Sequence, residues 1–266
     1  MHVALTSLID RLDSPSLAAA TVIQWGSPVP AFGDPSSSSV GTLGINPSNR
    51  EFVDESGFEL VDNLRRFHSL SSLGINSWAE VDARHLRLII ESCRSYFSSN
   101  PYDRWFRRLD TIVTAAGASY YDNSKQACHL DLVPYATESK WSDLPISERA
   151  LLMRLAGNAL GLLLQGASVR TLILNGSSVV DHFERISDCR LKRRGMPGWA
   201  LPRRSGADVM GYAYSGVVSA ISGIDLGYDL LVLGFNHNIQ GSFGVSKNVV
   251  DGIRDWVSQA TKGIPG

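Results

Sequence analysis

Four short stretches of this 266-residue chain gather side chains able to do polar chemistry on a small ligand. In Gly44-Ile45-Asn46-Pro47-Ser48-Asn49, Asn46 offers an amide oxygen that can orient a water molecule, although an amide does not titrate usefully and cannot serve as a strong base. In the second stretch His129 and Asp131 stand two residues apart, on one face if the segment is a strand, so the imidazole can hold the carboxylate or tune its protonation. An ionised Asp131 only accepts hydrogen bonds, which suits an amino group and repels a carbonyl oxygen. The third stretch is Asn175-Gly176-Ser177. The fourth, Asn236-His237-Asn238-Ile239-Gln240-Gly241-Ser242, carries a ring N–H at His237 able to stabilise negative charge. Each has a plainer reading as well: an Asn-Pro turn, a serine helix cap at Ser48, an Asp closing a strand and an Asn-Gly turn.

The elements that must position these residues follow from periodicity and turn chemistry. Strands are expected at Thr21–Trp25, Val40–Ile45, Ala127–Val133, Thr171–Leu174, Tyr212–Ala220 and Asp229–Phe235. Helices are expected at Phe58–Leu73, Trp78–Phe97, Tyr102–Ala116, Ser147–Gln165, a short run through Phe183, and Ser246–Ala260. Pro28 to Ser39 and the Gly/Pro/Arg-rich stretch before residue 205 read as loops. This alternation predicts an α/β chain of three-layer α/β/α architecture with a mostly parallel central sheet, in a single domain spanning 1–266. Ligands bind such sheets beyond the carboxyl ends of the strands, so the turns 46–52, 131–137, 175–178 and 236–244 are the ones expected to carry function.

Taken in order, these strand ends resemble the motifs of the uracil-DNA glycosylase superfamily, especially its mismatch-specific branch with Gly-Ile-Asn-Pro. Leu130-Asp131-Leu132-Val133-Pro134 sits where that family has its base-reading strand, and Leu172-Ile173-Leu174-Asn175-Gly176-Ser177 resembles its third strand and turn. Residues 236–242 occupy the place of its minor-groove loop but lack that loop's proline and Ser-Pro rhythm. The resemblance spans roughly residues 40–255 by element alternation. It implies a metal-free, cofactor-free enzyme that flips a nucleotide out of DNA and hydrolyses its N-glycosidic bond. Asn46 would orient the water and His237 would stabilise the departing base. Ser48, Asn49, His129 and Asp131 would read the base. Family members specific for uracil carry Asn where this chain has Asp131, and a Tyr where it has Ser48. A carboxylate there favours the N4 amino group of a cytosine, and a serine leaves room at C5, so a 5-modified cytosine is the expected base. This specificity is similar to that of the antiviral branch acting on glucosylated hydroxymethylcytosine in phage DNA. Asn175 or Ser177 would touch phosphate. Ile239 or Gln240 would wedge into the gap, with Asn236 and Asn238 lining the same loop and Asn236 a rival to His237 in register.

Between residues 190 and 204 stand Arg190, Lys192, Arg193, Arg194, Arg203 and Arg204 with no acid, around Trp199, which suits phosphate contact and base stacking. Net charge, −1, excludes a wholly polybasic protein, so DNA contact must be local. Three cysteines without a CxxC argue for a reduced, cytoplasmic setting and against a zinc cage. There is no P-loop, HExxH or GxSxG, no lysine in the four turns for a Schiff base, and no apolar run of membrane-spanning length. The competing expectations are repair of uracil or mismatched thymine, a catalytically silent DNA-binding module, and hydrolysis of free nucleosides.

Overall fold

Strands β1 (Val40–Gly44), β2 (Ala127–Asp131) and β3 (Thr171–Asn175) are buried at every position, as parallel strands covered on both faces must be. The structure, a computed structural model, describes residues 1–100, 103–203 and 206–262. Together with β4 (Lys192–Leu201), β5 (Val209–Ile221) and β6 (Ile224–Phe235), these strands form one six-stranded sheet of order β2-β1-β3-β6-β5-β4. β1 pairs in parallel with β2 and β3, and β3 in parallel with β6. β5 and β4 extend the sheet as an antiparallel edge.

Side-chain alternation sorts the core into two layers. Ile173, Leu233 and Phe235 face a layer built from the helices Arg104–Val113 and Lys247–Thr261, meeting Phe106, Leu109, Ile112, Val249, Ile253 and Val257. Leu172, Leu174 and Val232 face the other way, onto the helices Ala159–Gln165 and Ser177–Ile186 through Leu160, Leu163, Leu164, Val179 and Phe183. The fold is therefore a three-layer α/β/α arrangement with a mostly parallel sheet. Full burial of each such side chain contributes about 1.5–3 kcal/mol. A third cluster joins the N-terminal helix His2–Leu12 to helices Ala83–Arg94 and Ile146–Ala156 through Leu5, Leu8, Ile89 and Leu152.

Several expected elements differ. Thr21–Trp25 is no strand: Val22 makes one isolated bridge to Thr137, a partner that itself lies in a turn, so no ladder propagates. Phe58–Leu73 is no continuous helix. Gly57 and Asp62 adopt positive φ, Asp62–Leu64 makes only a 3-10 turn and Leu70–Leu73 a single helical turn. Its apolar residues share no helical face: Phe58, Val61 and Leu64 are exposed, while Phe67 is buried in the core and Leu70 and Leu73 pack at its edge. In Trp78–Phe97 the helix proper begins at Ala83, where Asp82 caps it, and Ser95 separates it from Tyr96–Ser99. The next helix runs from Arg104, and its expected start at Tyr102 lies outside the described residues. Ser147–Gln165 is two helices, because Gly157 (φ 57°) takes a backbone conformation that stops the first. The basic stretch expected as a loop is mostly edge strand β4, with Lys192 to Gly195 exposed.

Candidate functional site

All four strand-end turns open on one cleft of about 1040 Å³ at the carboxyl edge of the parallel strands. Asn46 and Asp131 both line it, with Ser48, Asn49, His129, Asn175, Ser177, Asn236, Asn238 and Gln240.

Asn46 is fixed through its amide nitrogen. Nδ2 donates to the Pro47 carbonyl (3.1 Å) and to Thr137 Oγ1 (3.0 Å), and Thr137 in turn donates its own proton to the Ser139 carbonyl (2.7 Å). Both partners of Nδ2 therefore have to accept, which assigns the amide's orientation. Oδ1 has no partner among the described residues. The turn after β1 thus holds an amide oxygen ready to accept from a water or a ligand.

Asp131 closes β2 with its side chain buried, and Oδ1 lies 3.4 Å from His129 Nε2. Behind it runs a buried series: His129 Nδ1 lies 2.7 Å from Thr42 Oγ1, which lies 2.5 Å from Tyr120 OH. Burial pushes the Tyr120 phenol far up, so it keeps its proton and can donate to Thr42. Thr42 can then donate to Nδ1, which leaves the Nε2 proton facing the carboxylate. The rings of Phe32, Phe106 and Trp105 hold the imidazole, with centroids 5.5, 5.2 and 5.2 Å away. Gly44 on the neighbouring strand makes this packing possible, since a Cβ there would lie 2.4 Å from Asp131 Oδ1 and 2.9 Å from His129 Nε2. Asp131 Oδ2 has no partner among the described residues and belongs to a residue lining the cleft.

Ser48 is exposed and does two things: it lines the cleft, and its Oγ caps the 3-10 turn Asn49–Glu51 by accepting from Arg50 N (3.2 Å). Asn49 Nδ2 reaches the Glu138 carbonyl (3.1 Å). Asn175 is committed to the fourth turn, giving Nδ2 to Gln240 Oε1 (2.5 Å) and taking Ile239 N on Oδ1 (3.2 Å). Ser177 is exposed at the first turn of the helix Ser177–Ile186; its own N–H donates to the Asn236 carbonyl (3.0 Å), so the helix end favours an anion through its dipole and the N–H groups that follow.

Two expected roles do not fit the fourth turn. His237 is buried, its Nε2 donating to the Trp199 carbonyl (2.7 Å), and it does not line the cleft. Burial pushes its pKa down, although the Trp199 bond opposes this, so it sits neutral and engaged away from any departing group. Ile239 is fully buried in the core and cannot act as a wedge in this conformation. Asn236 ties its turn to β5, accepting from Tyr212 N (2.7 Å) and donating to the Met210 carbonyl (2.9 Å). Asn238 holds the turn by accepting from Gln240 N and Gly241 N.

The basic segment lies on the same end of the sheet, two strands out, since Arg194 is level with Ala213 and through it with Phe235. Arg193 stacks over Tyr212 at 3.9 Å, and Arg194 and Arg203 are exposed. Arg190 is not uncompensated, as it pairs with Glu184 at 2.9 Å. Trp199 is buried against Trp256 and is unavailable for stacking on a base. Arg204 lies outside the described residues.

The cleft also contains Glu51, within the first turn, and Arg66, Asp103, Trp105, Phe106 and Lys140 from outside the four turns. Lys140 brings a lysine to the rim from just beyond the second turn. Burial pushes Glu51 up to about 7 against the opposing pull of Arg66. Cys93 and Cys128 are buried thiols pushed up to about 12, hence unreactive. Among the described residues no cluster of three or more His, Cys, Asp or Glu could hold a metal ion, and no helix is long and apolar enough to cross a membrane.

Fold and site together define an α/β protein with a polar cleft at the carboxyl ends of its parallel strands. Neither a scan against protein-family models nor a search of the curated proteins returns a match for the chain.

Proposed function

We propose that this protein is a monofunctional DNA glycosylase that flips a modified pyrimidine from DNA, favouring a 5-modified cytosine such as glucosylated hydroxymethylcytosine, and hydrolyses its N-glycosidic bond. The observation that carries this reading is the pairing in one cleft of Asn46, whose Oδ1 is open, with Asp131, whose carboxylate is braced from behind by His129. Breaking an N-glycosidic bond needs an oriented water and a polar grip on the base, and these two side chains meet the two needs. Asp131 accepts from the N4 amino group and opposes uracil O4, acceptor against acceptor. The cleft volume, 1040 Å³, lies just above the roughly 300–1,000 Å³ range of small-molecule sites and leaves space for a bulky 5-substituent beside Ser48. The N-terminus of the helix Ser177–Ile186 and the exposed Arg193 and Arg194 on the same end of the sheet supply phosphate contacts.

The test is incubation with duplexes containing cytosine, 5-hydroxymethylcytosine, its glucosylated form, uracil or a mismatched thymine, followed by alkali. Strand breaks at the modified cytosine are expected. Breaks only at uracil or thymine would replace this reading with a repair activity. Tight binding without a break in any duplex would replace it with a DNA-binding module.

A further inference from the structure

Glu51 is the last residue of the 3-10 turn that follows Asn46-Pro47-Ser48, with its N–H donating to the Ser48 carbonyl (3.1 Å). Its side chain is only 9% exposed, yet it lines the cleft. The protein holds it by one oxygen: Oε2 accepts from Tyr96 OH (3.0 Å) and from Arg66 Nη1 (3.3 Å). The same Arg66 nitrogen lies 3.5 Å from Asp103 Oδ2, so its charge is shared between two carboxylates. Oε1 has no partner among the described residues. Arginine–carboxylate pairs are frequently bidentate, and this one leaves an oxygen over, on a residue that lines the cleft.

Hydrolysis by an activated water requires a proton acceptor, and the other groups at hand are committed. Asn46 cannot accept a proton usefully. Asp103 caps the helix Arg104–Val113, its Oδ1 accepting from Trp105 N and Phe106 N while Oδ2 faces Arg66. Asp131 is paired through Oδ1 with His129, and His129 with Thr42, while the open Oδ2 of Asp131 is the acceptor that the glycosylase reading gives to the base.

We propose that Glu51 is the general base of the reaction, a role that rests on the glycosylase reading above. The water held by Asn46 Oδ1 attacks C1′ of the flipped nucleotide and forms the new C–O bond. The C1′–N1 bond breaks with its electron pair leaving on the base, and the water's proton passes to Glu51 Oε1. The products are the abasic sugar, the base anion and a protonated Glu51, which then releases its proton to the base or to solvent.

The electrostatics suit that task. Burial raises Glu51 to about 7, opposed by Arg66 and by the Tyr96 hydrogen bond, while Asp103 pushes the same way as burial. A base that titrates close to the working pH is at its most effective. Activity should therefore rise with pH through a midpoint near 7. Removing the Tyr96 hydroxyl removes a bond to the charged form, so it should move that midpoint upward.

The experiment is the single-turnover rate against pH on whichever modified duplex the wild type cleaves, for wild type, Glu51→Gln, Glu51→Asp and Tyr96→Phe, with duplex affinity measured alongside. Glu51→Gln is expected to lose about 10²–10⁴-fold in rate at unchanged affinity, Glu51→Asp to recover part of it, and Tyr96→Phe to shift the limb to higher pH. A Glu51→Gln rate close to wild type, or a pH limb unmoved in every variant, overturns the role of Glu51 and leaves the glycosylase reading standing. A wild type that makes no abasic site in any duplex overturns both. Carbon-detected titration of the Glu51 carboxyl in the free protein provides a readout independent of turnover. A midpoint near the ordinary value for glutamate would overturn the assignment.

Discussion

Asn46 is held by its nitrogen and open at its oxygen, so removing the side chain deletes an acceptor from the cleft without leaving a buried donor unmet. Asn46→Ala is expected to lower turnover by orders of magnitude, with melting temperature and duplex affinity close to wild type, as measured by single-turnover kinetics beside thermal unfolding. In the proposed reading Asp131 and Ser48 meet different atoms of the base. Asp131→Asn should raise uracil excision relative to modified cytosine by about 5- to 150-fold, the equivalent of the roughly 1–3 kcal/mol for an acceptor facing an acceptor. Ser48→Tyr should exclude bulky 5-substituents while sparing plain bases, and Ser48→Ala is its control because Ser48 also caps a turn. Competition assays on mixed duplexes read both. Under the proposal Glu51 would link activity to stability. Its pKa is about 7 when folded against 4.5 as the ordinary value, so the folded state binds the proton more tightly. Its contribution is fully present below 4.5 and is lost as pH rises through 7, by up to about 3 kcal/mol. His68, pushed down to about 4 by burial and by Arg65, works in the opposite direction, so the difference between proteins is the readout. Urea unfolding should show Glu51→Gln gaining stability relative to wild type between pH 5 and 8. A constant difference would contradict the shift.

The strands and their terminal turns were legible in the sequence because both layers of core are written into them at period two, as at Leu172, Ile173 and Leu174. His129 and Asp131 share a face for the same reason, and the pair at 3.4 Å follows. Phe58–Leu73 misled because apolar spacing alone does not say which of its residues the core receives: Phe58 faces solvent while Phe67 is buried. Composition hid β4, whose Arg, Gly and Pro read as a loop but lie on an edge, where a strand tolerates them. His237 and Ile239 failed as site residues because a turn's sequence does not tell which of its side chains point inward. Glu51 was missed since an acid in the first turn after a cap reads as a helix-end charge. Its burial depends on Tyr96 and Arg66, distant in sequence. The strand β4 carries its own prediction. Neutralising Arg193 and Arg194 should make the slope of log K against log salt shallower by about one to two. Fluorescence anisotropy over a salt series checks this, and an unchanged slope would place the duplex on another face.

At the scale of the molecule, the parallel strands end together, and each turn supplies one wall of the same cleft: 46–52, 131–137, 175–178 and 236–242. The antiparallel extension then carries positive charge outward along the same end of the sheet. The central claim is that this cleft releases a 5-modified cytosine. Mass spectrometry of the small molecules freed from DNA containing glucosylated hydroxymethylcytosine tests it most directly. The account predicts the intact modified base, freed in equal number to new abasic sites and absent with Asn46→Ala. Release of uracil from a uracil-containing duplex, with no modified cytosine released from the other, would contradict it.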